Sequence, residues 1–209
     1  MDSKNRAATN QPTPLVGHHV IRCDAALVES VQDFAGEGAA EVLDSLDGLG
    51  TLAGSAQARE HATLANTNPP RLRAFDRYGN RIDEVEFHPS WHWLMEHAVG
   101  FGLAARPWES PEPHAHLRRA AGFYAWSQVE SGHGCPVSMT YAAVPALQAD
   151  PAISAEWLPR LASTSYDFGL SDPAGKDGCL AGMGMTEKQG GSDVRANITA
   201  AIPLADEGD

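Results

Sequence analysis

Met183 to Asp193, "MGMTEKQGGSD", gathers hydroxyls, glycines and charged groups into a single stretch. The Thr186 hydroxyl can both donate and accept a hydrogen bond. Gly190 and Gly191 let the backbone come close to a ligand, and successive N–H groups in such a turn form a concavity that attracts anions. Ser192 adds a second hydroxyl, and Asp193 is expected to hold the turn by bonding its own backbone. The layout suits a ligand with a polar ring and phosphates. An ordinary glycine turn between strands is the competing reading.

Other groupings could also carry chemistry. His88, His92 and Glu96 recur every four residues, which on a helix would bring three donors to one face, as a metal site requires. Pro89 follows His88 directly, however, and proline at the first helical position marks a helix start. His88 is therefore expected to precede or cap the helix, and no metal site is assigned. Ser131 to Ser138, "SGHGCPVS", puts His133 close to Cys135. Neighbours in a turn rarely aim at each other, so the stretch reads as a loop and helix start with Cys135 as a small apolar residue. Gly175-Lys176 fails as a phosphate loop, because Leu170 stands where that motif needs glycine and Asp177 where it needs Ser or Thr. Arg71, Arg73, Arg77 and Arg81 are interleaved with Asp76, Asp83, Glu84 and Glu86, the pattern of a solvated face.

These residues need elements to position them. From Asp24 to about Leu64, apolar residues at spacings of three and four (Leu27, Val28, Val31, Phe34, then Val42, Leu43, Leu46, Leu49) predict two or three short helices, with Asp24 as an N-cap. Pro69-Pro70 stops them. Leu72 to Phe87 reads as a hairpin turning at Tyr78-Gly79-Asn80. From Pro89 to Leu161 the pattern is helical again. Leu117, Ala121, Tyr124 and Gln128 lie on one stripe, Pro113 suits a start and Gly132 a stop, and Pro145 should kink or end its helix. Beyond Asp167, "CLAGMGM" predicts a buried strand and "NITAAIPLA" another, the first strands of a second, β-rich unit inside which the sequence stops.

Composition limits the partners. Fifteen basic residues against 27 acidic give a formal net charge of -12, which repels nucleic acid unless basic groups cluster. Hydrophobic residues make up 43% and charged residues 20% of the chain, ordinary values for a globular protein, and no apolar run is long enough for a membrane span. Cys23, Cys135 and Cys179 are odd in number and far apart, which argues against a disulfide framework and for a reducing, cytoplasmic setting. The first stretch does not resemble a secretory signal and reads as a loosely attached tail.

Gly184-Met185-Thr186-Glu187, two residues, then Gly190-Gly191-Ser192-Asp193 resembles the signature segment of the acyl-CoA dehydrogenase flavoproteins. "NQPTPL" near the start, "LANTNPPRL", "FHPSWHWLM" and "CPVSMTYAA" resemble the DNA alkylation-response (AidB-like) branch of that family, so the likeness runs along nearly the whole chain. The resemblance implies a mostly α fold: a flexible tail over 1–20, an N-terminal helical bundle domain with a small β-hairpin over 21–166, and the start of a middle β-barrel domain over 167–209. It implies FAD as cofactor, lying along Met183, Gly184, Met185, Thr186, Glu187, Lys188, Gln189, Gly190, Gly191 and Ser192. Met185 and Thr186 would meet the flavin ring, while Gly191 and Ser192 would face the phosphates or the acyl-CoA, with Ser192 also touching substrate.

In the family, a carboxylate base takes the α-proton of an acyl-CoA and the flavin accepts the β-hydride. That base lies beyond Asp209, Glu187 is not it, and no catalytic residue is assigned in this chain. Weak or no FAD retention is the corresponding expectation. Two functions remain open: α,β-dehydrogenation of an acyl-CoA thioester, or a non-enzymatic stress-response role through DNA or partner binding. Self-association is expected of the full-length protein, and DNA contact only through a basic C-terminal region absent here.

Overall fold

The structure, a computed structural model, describes residues 10–110 and 112–202. Helix α1 (Ala25–Ala35) starts where expected, because the Asp24 carboxylate accepts the Leu27 N–H at 3.0 Å. It stops at Gly36, whose φ of 55° suits glycine. Val31 and Ala35, one turn apart, set its buried stripe. Phe34, expected beside them, falls off that stripe and is 78% exposed. Helices α2 (Ala39–Ser45), α3 (Asp47–Ala53) and α4 (Ala56–Thr67) follow, the last capped by the Ser55 hydroxyl. The region thus holds four α-helices in place of the two or three expected, because breaks at Leu46 and Gly54-Ser55 divide the apolar pattern.

Residues 17–20, within the stretch expected to be a tail, are held against α3. The Gly17 N–H donates to Gly54 O at 2.7 Å and the Val20 N–H to Gly50 O at 3.0 Å. The first nine residues lie outside the described residues.

Strands β1 (Arg71–Phe75) and β2 (Arg81–Glu86) form the expected antiparallel hairpin, with Leu72 opposite Val85 and Arg73 opposite Glu84. Its turn is organised by Asp76, whose carboxylate accepts the N–H groups of Tyr78 and Asn80 and the Asn80 side-chain amide. Those bonds, the side-chain one foremost, hold the Asp76 carboxyl below its usual range.

Helix α5 (Pro89–Gly100) begins as the Pro89 signal indicates, with His88 Nδ1 accepting the Ser90 N–H at 3.1 Å. Then come α6 (Arg106–Glu109), α7 (Ala115–Ser127), α8 (Gly134–Leu147) and α9 (Pro151–Leu161). Helix α7 ends at Ser127 and leaves Gly132 in the following turn, while α8 ends two residues after Pro145. On α7 the buried face is Ala121, Gly122, Ala125 and Trp126. Tyr124, expected on the buried stripe, points outward, and its hydroxyl donates to the Asp24 carboxylate at 3.2 Å.

The main core joins Val31, Leu46 and Leu49 from the first helices to Leu94 and Met95 of α5, Trp126 of α7 and Val137 of α8. Helix α7 lies so close to its neighbours that a Cβ on Gly122 would come within 2.9 Å of the Leu103 side chain. A smaller cluster of Ala105, Val144 and Leu161, with Trp108, Trp157, Cys179 and Ala181 packed on it, ties α8 and α9 to the segment that follows.

That segment corrects two expectations. Residues 179–185 and the described part of "NITAAIPLA" (197–202) carry no ladder pairing; the remainder of the latter lies outside the described residues. The hairpin is the sheet found among the described residues, and an apolar run with no neighbouring strand to take its N–H and C=O groups makes no ladder.

Candidate functional site

The signature segment is fixed at its base and open above it. The Cys179 N–H donates to Arg160 O at the end of α9, at 3.0 Å. The Ala181 N–H donates to the hydroxyl of Thr140 on α8, also at 3.0 Å, and that fully buried hydroxyl in turn donates to Pro136 O. Gly178 makes the approach possible, since a Cβ there would lie 2.1 Å from the Ser165 carbonyl oxygen. One bond to a backbone carbonyl, one to a side-chain hydroxyl and a small apolar cluster therefore deliver the chain to Gly182.

Beyond that point one carboxylate shapes the segment. Glu187 accepts the N–H groups of Ile198 (2.9 Å) and Thr199 (2.6 Å) and the Thr199 hydroxyl, and Gln189 bonds its other oxygen. Asn197 adds a bond from its side-chain amide to Met185 O at 2.8 Å. The chain leaving the signature is thus folded back beside the chain entering it. The Thr199 hydroxyl bond, followed by the Ile198 N–H, holds the Glu187 carboxyl below its ordinary range. A tight turn brings the Gly190 N–H onto Glu187 O at 2.9 Å. Asp193 holds the next turn by its backbone carbonyl, which accepts the Ala196 N–H at 3.2 Å, and not by its carboxylate as expected.

This leaves a run of exposed groups, several of them without a hydrogen bond. Met183, Gly184, Met185, Thr186, Lys188, Gln189, Gly190, Gly191 and Ser192 are exposed, and only Glu187 is partly covered. The N–H groups of Gly191 and Ser192 and the hydroxyls of Thr186 and Ser192 make no hydrogen bond among the described residues. A Cβ built at Gly182, Gly184 or Gly191 would meet nothing within 4 Å, so the backbone faces open space there. Unbonded donors on an accessible backbone can receive phosphate oxygens or the polar edge of a ring, and in this respect the residues fit FAD.

The other groupings resolve differently. His88 serves as the α5 cap, and His92 Nδ1 bonds the Tyr166 hydroxyl at 3.0 Å. Burial lowers the His92 pKa and pushes Tyr166 up to about 12. Cys135 is exposed and not packed as a small apolar residue, because it sits on the outer side of the first turn of α8. His133 is instead buried against Glu130, with Nδ1 2.8 Å from the carboxylate, which also accepts the N–H groups of Gly132 and His133. Burial lowers the His133 pKa even beside that carboxylate. For Glu130 burial acts upward, but the bonds from His133 and Gly132 outweigh it and leave the carboxyl below its usual range.

Sequence reasoning missed the Glu130–His133 pair and the bracing role of Glu187. The i, i+3 spacing ahead of a helix was a visible signal for the first. The partners of Glu187, eleven and twelve residues away, left none.

The family described as "Adaptive response protein AidB N-terminal domain" matches residues 10–168. The chain belongs to this family. It is 44% identical over 199 residues to the AidB protein of Escherichia coli (strain K12), whose name places it with the acyl-CoA dehydrogenases. It is 30% identical over 132 residues to acyl-CoA dehydrogenase family member 11 of Caenorhabditis elegans. These alignments cover 94% and 62% of this chain but 36% and 21% of the relatives, so the chain spans about a third or less of their length. The crystal structure of Caenorhabditis elegans ACDH-11 in complex with C11-CoA superposes with a TM-score of 0.74 over 92% of this chain and 32% of that one, at 24% identity, and shares the fold. Both curated relatives carry acyl-CoA dehydrogenase names, and the helical architecture with its hairpin agrees with them. No described helix is long and apolar enough to cross a membrane.

Proposed function

We propose that residues 183–192 form one wall of an FAD and acyl-CoA site, and that the AidB-like protein to which this chain corresponds is an FAD-dependent oxidoreductase acting on an acyl-CoA thioester. The carrying observation is the exposed signature segment, with the N–H groups of Gly191 and Ser192 and the hydroxyls of Thr186 and Ser192 unbonded among the described residues. The relatives' names and the ACDH-11 complex with C11-CoA support the substrate class.

In this reading the Gly190-Gly191 turn receives phosphate, Thr186 bonds the flavin ring edge and Ser192 reaches phosphate or thioester. Met183, Met185 and the arm of Lys188 flank the ligand. FAD, when bound, supplies the hydride acceptor. This chain's own residues bind and orient it, with Glu187 holding the two limbs in register. The net charge of -12 disfavours DNA as a partner of this chain, and self-association belongs to the same proposal for the longer protein.

The test is a titration of the chain with FAD followed by flavin fluorescence anisotropy. Weak saturable binding is expected, because an exposed wall contacts only one side of the ligand. Gly191→Val, whose side chain would keep the ligand off the backbone N–H groups, and Thr186→Val, which removes a hydroxyl, should each weaken it about tenfold. Binding that both variants leave unchanged, or an absence of saturable binding, would overturn the assignment.

A further inference from the structure

A cavity of about 370 Å³ lies away from the glycine-rich turn, between β2, the first turn of α5 and residues 166–170. That volume falls within the range of small-molecule sites. One wall is aromatic. The Phe168 ring stacks on His92 with centroids 4.0 Å apart, Tyr166 lies 5.7 Å from Phe168, and Phe87 meets His92 edge-on at 6.1 Å. Phe168 keeps 61% of its surface exposed. The cation–π contacts found among the described residues involve other rings, so no described arginine or lysine occupies these faces.

The opposite wall is acidic. Asp83, Glu84 and Glu86 line it with Arg73 as the one basic residue. Asp83 pairs with Arg81 at 2.6 Å and Glu86 with Arg73 at 3.9 Å, which leaves Glu84 without an ion pair among the described residues. His92 adds no compensating positive charge, since it is bonded to the Tyr166 hydroxyl and its burial favours the neutral ring. Aromatic faces attract cations through their quadrupoles, and a carboxylate across the cavity adds to that attraction. The same wall repels the phosphates of FAD or a CoA thioester.

We propose that this cavity binds a small organic cation of the alkylammonium class, its head group held between the Phe168 and Tyr166 rings and the Glu84 carboxylate. The site owes nothing to the FAD assignment and stands or falls separately from it.

The test is a titration of the chain with choline and with 3,3-dimethyl-1-butanol, its uncharged isostere, at fixed ionic strength, following the ring resonances of His92, Tyr166 and Phe168 by NMR. Choline is expected to shift those resonances saturably and to bind about threefold to thirtyfold more tightly than the alcohol. Glu84→Gln should weaken choline without changing the alcohol, and Phe168→Ala should weaken choline. Both positions are exposed, so both variants are expected to fold, with unchanged helical circular dichroism as the check. Equal affinity for the two compounds, choline shifts that bypass these rings, or unchanged choline affinity in either variant would overturn the proposal.

Discussion

The helical core and the signature segment are built on opposite plans. In the core, Ile21, Leu49, Leu94, Ala98 and Ala125 are fully buried, and elements far apart in sequence interdigitate. In the signature segment nearly every side chain is exposed, and shape comes from a handful of hydrogen bonds centred on Glu187 and Asn197. Burial makes the first region stable. The second is held in one shape by local bonds while its donors stay accessible to solvent.

The strongest way to sharpen this contrast is to damage the core. Trp126 is 1% exposed and packs near Trp93, His97, Phe101 and His133. Trp126→Ala should cost about 3–5 kcal/mol through lost burial and the cavity left behind, read as a fall in the urea midpoint with cooperative unfolding of the helices. A loss under about 1 kcal/mol would mean that the core is not close-packed there.

The two regions also differ in how legible they were from sequence. Caps at Asp24 and at His88-Pro89 and the Tyr78-Gly79-Asn80 turn were readable, because each acts through neighbours within four residues. Periodicity located helices well but faces less well. Phe34 and Tyr124 fit apolar spacings yet point outward, since Val31 with Ala35 and Ala121 with Ala125 decide the buried stripes. The strand expected at 179–185 was an apolar run whose ladder partners no local pattern supplies. At the signature, residue types suggested a ligand chemistry, which remains a proposal, and the brace from Glu187 to Ile198 and Thr199 depends on a chain reversal that spacing does not reveal.

A middle-sized effect should come from the buried Glu130–His133 pair that joins core to loop. Glu130→Ala leaves the Gly132 and His133 N–H groups and the His133 ring without their acceptor, for a loss of about 1–3 kcal/mol. Its pH signature follows from burial. His133 and His92 have lowered pKa values in the folded state, so the unfolded chain binds more protons below about pH 6.5, the ordinary histidine value. Stability is therefore full above that pH and falls as pH drops through it. Glu130, lowered in the fold, adds a further loss only in the carboxylate range. Urea midpoints between about pH 8 and 5 should decline on the acid side, and His133→Asn should flatten the decline. A profile flat in both proteins would remove the buried histidine from the account.

The smallest effect on stability is expected at the residue that matters most to the signature's shape. Glu187→Gln keeps the side-chain length and an acceptor oxygen but removes the charge that three donors of Ile198 and Thr199 share. The urea midpoint should not move, because the bonded groups are exposed and the core is untouched. Amide exchange at Ile198 and Thr199 should accelerate while Ala181, bonded to buried Thr140, keeps its protection. A shifted midpoint would show the segment to be part of the cooperative core, and unchanged exchange would show that something other than Glu187 holds the two limbs together. The expected split, local loosening without global loss, would separate a segment shaped by its own hydrogen bonds from a helical core held by burial, and under the proposed FAD reading it would let the wall's geometry be set without risk to the fold.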